Sequence, residues 1–155
     1  MKNNRLDNID RRILRALQQN ARLANNELAD QIGLSCSACL RRVKILEESG
    51  VIKRYATLCD AEKLHYPFVI YVYGTFLEED YKIRERFIFE MKLLPQISEC
   101  HMISSDWDFI LKVHVKNLDE FHQLKKDYLN KGIGIKNIKS DIVIKTIKDT
   151  TDLPL

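Results

Sequence analysis

The chain has 155 residues, 45% of them hydrophobic and 30% charged, with a formal net charge of +3. That length suits one ordinary domain or two small ones, and the composition excludes a disordered chain. No apolar run approaches the roughly 18–20 residues that cross a bilayer, and the polar start MKNNRLDNID resembles no secretory leader, so a cytoplasmic protein with no membrane partner is expected.

Charge is unevenly spread. Residues 1–60 hold 11 Lys/Arg against 7 Asp/Glu, whereas residues 61–155 hold 14 against 15. The basic excess near the start points to a polyanionic partner for that part alone.

Leu6, Ile9, Ile13, Leu14 and Leu17 recur at three- and four-residue spacing, which predicts a first helix capped by Asp7 and ending near Asn20. A short second helix is expected from about Asn25 to Gln31, with Leu28, Ala29 and Ile32 inward. Gly33 can adopt the left-handed conformation that stops it. Ser35 then caps a third helix running to about Ser49, with Gly50 just past its end. After Gly50, residues 51–60 read as a strand or extended connector. Strand-like 68–76, helix-like 81–94, strand-like 97–104 and 108–116, helix-like 118–130 and strand-like 135–148 follow. This β-α-β-β-α-β order is the ferredoxin-like arrangement, with two helices on one sheet face and a second subunit expected on the other.

Three helices with a short middle one and a glycine turn before the third describe a helix-turn-helix. Ala29 is small where the second and third helices converge, and Leu34 plugs their corner. Cys39 or Leu40, with Val43 and Leu46, supplies the inward stripe of the third helix. Its other face presents Ser35, Ser37, Ala38, Arg41, Arg42 and Lys44. Serines and free N–H groups at a helix start suit phosphate oxygens, and Arg41 or Arg42 is placed to grip a guanine edge. Lys53, Arg54 and Tyr55 are candidates for phosphate contacts just past the helix. Double-stranded DNA is the expected partner.

The pair Cys36/Cys39 admits another reading, a redox dithiol or half a zinc site. A thioredoxin-type pair follows a strand, which is missing here, and zinc needs four ligands, whereas Cys59, Cys100 and His101 are scattered. No metal and no cofactor are expected. His65, His101, His114 and His122 show no catalytic spacing, and no Gly-rich phosphate loop exists, so no enzyme is expected. Two alternatives stay open: a metabolite-sensing oligomer with weak, non-specific DNA affinity, and a thiol sensor acting through Cys36/Cys39.

The stretches LDNIDRRILRALQQNARLANNELADQIGLS, SACLRRVKILEESGVIKRY, DWDFILKV and IVIKTIKDTTDLPL resemble the Lrp/AsnC family of transcription regulators, over about Leu6 to Leu155. The resemblance implies an α+β chain: a winged helix-turn-helix domain over 1–52, a strand-containing linker over 53–66, and a ferredoxin-like effector-binding and oligomerisation domain over 67–155. It also implies homodimers assembling to tetramers or octamers, and DNA binding tuned by a small amino acid or related metabolite. The family's effector site lies at the hairpin between the second and third strands of the C-terminal domain, which here means Ser104, Ser105, Asp106, Trp107 and Asp108. The family pattern Gly-Asp-aromatic-Asp has glycine where this chain has Ser105, so a positive φ there would strain the serine. On a regular strand Asp106 and Asp108 would point the same way, one facing an ammonium group.

Overall fold

In the computed structural model, which describes residues 6–77, 80–129 and 134–155, Asp7 starts the first helix by a reciprocal exchange. Its carboxylate accepts the Asp10 N–H at 2.8 Å, and the Asp10 carboxylate accepts the Asp7 N–H at 3.2 Å. This satisfies two donors that a helix start otherwise leaves bare. Helix α1 spans Asn8–Gln19 and α2 spans Asn25–Ile32. Gly33 sits at φ +73, and Leu34 N–H donates to the Ala29 carbonyl at 2.9 Å, turning the chain into α3, Cys36–Glu48. The Ser35 hydroxyl accepts the Ala38 N–H at 3.3 Å and caps α3. Ile13, Leu14, Leu28, Ala29, Ile32, Cys39 and Leu46 form the buried core of this three-helix unit, with Leu34 and Val43 packed against it.

The second unit is a four-stranded antiparallel sheet in the order β2-β3-β1-β4. Its strands are β1 Phe68–Phe76, β2 Ile97–Met102, β3 Phe109–Val115 and β4 Ile135–Ile142. Helices α4 (Tyr81–Leu93) and α5 (Leu118–Leu124) cross between them in the expected order. Alternation puts Ile70, Val72 and Phe76 of β1 and Phe109, Leu111, Val113 and Val115 of β3 in one core with Phe87, Met91, Phe121 and Leu124 of the helices. The opposite face, with Tyr71, Tyr73, Ile110 and His114, is half-buried.

Four expectations change. The strand expected within 53–66 is not formed: these residues have no ladder partner, and residues 60–65 make a single turn ending at His65, φ +64. The last strand stops at Ile142 rather than at 148. The fifth helix widens into a π-helical turn, Lys125–Leu129, and its expected last residue, 130, lies outside the described residues. Finally, Lys148–Leu155 belongs with the helical unit and Cys59–Ile147 with the sheet unit, so the tail does not stay in the C-terminal domain. The reason is local chemistry on α1. The Gln18 side chain donates to the Leu153 carbonyl at 3.1 Å and accepts its N–H at 2.9 Å, while the Arg15 guanidinium donates to the Leu155 carbonyl. Leu155 packs on the helical core.

Candidate nucleic-acid interface and hairpin site

Cys39, Val43 and Leu46 turn α3 inward, and the rest of the helix follows from their spacing. Ser35, Ser37, Arg41 and Lys44 are exposed, and Ala38 is half-buried beside them. The Ser35 and Ser37 hydroxyls lie 3.3 Å apart at the helix start. Arg41 makes no hydrogen bond or ion pair with the described residues, and Lys44 reaches Glu48 only at 3.8 Å. The helix thus offers a cationic, hydroxyl-bearing face that is not consumed by its own fold, which suits phosphates and base edges. Leu40, offered by the sequence as an alternative inward residue, is 58% exposed and flanks this same face. The spacing carries that signal: Cys39, Val43 and Leu46 lie at four- and three-residue intervals on one side of the helix, and Leu40 is about 100° around from Cys39, outside that stripe.

Arg42 departs from its expected place. Its Nη1 donates to Asp7 Oδ2 and to Asp10 Oδ1, both at 2.8 Å, so the guanidinium is turned toward the start of α1. The Asp10 backbone N–H and then the Arg42 guanidinium hold the Asp7 carboxyl below its ordinary range.

Lys53 and Arg54 are exposed but are not gathered with the serines. The neighbouring Tyr55 hydroxyl donates to Glu47 Oε1 at 2.7 Å, which ties this segment to the far end of α3. Burial first, and the bond to Glu47 second, push the Tyr55 hydroxyl up to about 12 from an ordinary 10.0. A value raised by folding means a contribution that is whole below pH 10.0 and is lost as pH rises through about 12. Urea unfolding across that window should show wild type losing stability faster than Tyr55→Phe. Equal slopes would remove the role of this bond.

The two thiols of the C-x-x-C pair have different surroundings. Cys36 is exposed and Cys39 is buried, both are unbonded, and burial pushes the Cys39 thiol up. A buried, protonated thiol is a poor nucleophile and a poor ligand. Among the described residues no cluster of His, Cys, Asp or Glu is arranged to hold a metal.

The hairpin residues Ser104, Ser105, Asp106, Trp107 and Asp108 come together in the loop joining β2 to β3. They are not on a strand, so the regular pleat that would point both aspartates one way is not present there. Asp108 Oδ2 accepts the Phe76 N–H at 2.8 Å, and Asp108 N–H donates to the Gly74 carbonyl at 2.9 Å. Phe76 is where the β1–β4 register shifts, and the carboxylate takes its N–H there. Asp108 is therefore a staple between loop and sheet, whereas Asp106 is exposed and makes no hydrogen bond or ion pair with the described residues. Trp107 lies tilted on Tyr73 with ring centroids 6.2 Å apart. Ser105 keeps a negative φ, and its hydroxyl accepts the Trp107 N–H at 3.1 Å, so serine in the glycine position carries none of the feared strain. No helix among the described residues is long and apolar enough to cross a membrane.

Residues 6–53 match the family profile for winged helix-turn-helix DNA-binding domains, and residues 77–153 match that for the Lrp/AsnC ligand binding domain. The leucine-responsive regulatory protein of Haemophilus influenzae is 35% identical over 154 residues, covering 99% of this chain and 93% of its own. That of Escherichia coli K12 is 32% identical over 96% of this chain and 90% of its own. Among solved structures, a transcriptional regulator of Neisseria meningitidis in complex with L-methionine superposes with a TM-score of 0.92 at 32% identity, covering 96% of each chain. An AsnC family regulator of Agrobacterium tumefaciens gives 0.90, also at 32% identity, over 96% of this chain and 97% of its own.

Proposed function

The chain belongs to the Lrp/AsnC family of transcriptional regulators, and from that premise we propose how it reads DNA and where it takes its effector. Helix α3 enters the major groove of double-stranded DNA, with Arg41 on a guanine edge and Ser35, Ser37, Ala38 and Lys44 around it. Leu40 supplies the apolar contact that a thymine methyl accepts. Lys53 and Arg54 hold phosphate at the far end of the helix. The observation that carries this reading is that Arg41 is exposed and has no partner among the described residues. Such a cation, beside free hydroxyls on one helix face, is available to a polyanion. The protein acts in the cytoplasm as a regulator rather than an enzyme.

A second copy covers the half-buried sheet face, and dimers assemble further to tetramers or octamers. Two copies of α3 related by a dimer axis read an inverted repeat whose half-sites lie about one helical turn apart. Arg41→Ala should weaken binding to a duplex selected from a random library by about tenfold or more, measured by gel shift. Unchanged binding would reject α3 as the reading helix.

The effector is a small amino acid held at 104–108, with the exposed Asp106 facing its ammonium group and Trp107 lining its apolar part. One relative is named for leucine and one neighbour was solved with L-methionine, so these two are the first ligands to test. Either should raise the unfolding temperature, by the equivalent of about 2.7 kcal/mol at a hundredfold excess over Kd. Asp106→Ala should abolish the shift. A shift that survives this substitution would place the ligand elsewhere.

A further inference from the structure

The capping box of α1 uses one oxygen of each aspartate, Asp7 Oδ1 and Asp10 Oδ2. The remaining two, Asp7 Oδ2 and Asp10 Oδ1, converge on a single nitrogen of Arg42. Two neighbouring carboxylates at the start of α1 and one cation from the middle of α3 thus make a closed set, with the guanidinium side chain 28% exposed. Hydrogen bonds between ionised partners at this distance are short and directional, so they restrain the angle between the two helices as well as attract them. They also offset one of the two acidic charges in a domain whose partner is a polyanion.

We propose that Arg42 is a positioning residue for DNA reading: it holds α3 against the start of α1 and touches no base or phosphate. This rests on α3 being the reading helix. It makes a prediction opposite in sign to a contact role. Asp7→Asn/Asp10→Asn keeps the capping geometry, because asparagine caps as well as aspartate, yet it frees Arg42 and makes the protein more positive by two charges. If Arg42 were a DNA contact, this variant would bind its selected duplex as tightly as wild type or more tightly. As a positioning residue, its release should weaken that binding about tenfold while affinity for random duplex does not fall.

The experiment measures selected and random duplex binding across salt concentrations for wild type, Asp7→Asn/Asp10→Asn, Arg42→Ala, Arg42→Lys and Arg41→Ala. Arg42→Ala should lose the ratio of selected to random affinity but keep the wild-type salt slope. Losing a phosphate contact would instead flatten that slope by about 0.9. Arg42→Lys should recover most of the ratio, since one ammonium can bridge both carboxylates as Nη1 does. A general loss of folding would lower both affinities together and spare the ratio, which would overturn the proposal. So would tighter binding by the double asparagine variant, or a flattened slope in Arg42→Ala. Arg41→Ala separates the two ideas: if it leaves selected binding intact, the reading-helix assignment itself has failed.

Discussion

Phe109→Ala is expected to cost the sheet unit about 3–5 kcal/mol, the range for deleting a fully buried phenylalanine ring. The ring is 0% exposed and lies 4.4 Å from that of Phe87 and 5.4 Å from that of Phe76, centroid to centroid. Two of the walls of the resulting cavity would be aromatic rings held by their own strand and helix, which limits collapse. Phe109 directly follows Asp108, so the loss should reach the hairpin: amide exchange at 103–108 should speed up together with the fall in urea midpoint. A loss under about 1 kcal/mol would mean that the site collapses and that the ring does not brace the loop.

Gly74→Val is the complementary change, and about 3 kcal/mol is expected, the upper end of overpacking costs. Gly74 pairs with Phe109 across the β1–β3 ladder. A Cβ placed on it would stand 2.2 Å from the Phe109 Cζ and 2.6 Å from Cε1, well inside contact distance. The ring cannot easily swing away, because Phe76 and Phe87 already flank it. Gly74→Ala combined with Phe109→Leu should therefore cost less than the sum of the two single changes. Strict additivity in that cycle would show that the glycine is not there to seat the ring. Both changes act on the sheet unit, most of which matches the ligand binding domain, so effector response should fail before DNA binding does.

Much of this molecule is legible along the chain because its causes are local. Asp7, Gly33, Ser35 and Gly50 mark helix ends through bonds and backbone angles that span a few residues. The placement of Cys39, Val43 and Leu46 follows from 100° per residue. The same arithmetic puts Arg41 about 160° from Cys39 around the helix but Arg42 only about 60° from it. The two arginines could thus have been told apart, yet nothing in the spacing names the partner of Arg42, since Asp10 is 32 residues away.

The hairpin shows the same boundary. The run from Ser104 to Asp108 is recognisable as a polar loop between two strands, but alternation fails in it because the loop leaves the pleat. Which aspartate is spent on the sheet depends on where the β1–β4 register slips, and that is a property of two strands together. The linker at 53–60 has strand-like residues without a strand, because a strand requires a neighbour to complete its hydrogen bonds. The tail is the plainest case: Gln18 and Arg15 look like solvated positions on α1 until residues 153–155 arrive beside them. Periodicity, caps and turn residues suffice for the five helices, the four sheet strands and their order, while the family is legible only in the resemblance of whole stretches such as SACLRRVKILEESGVIKRY. Bonds between residues distant in the chain, such as Arg42 to Asp7 and Asp108 to Phe76, exist only once packing and register have brought their atoms within reach.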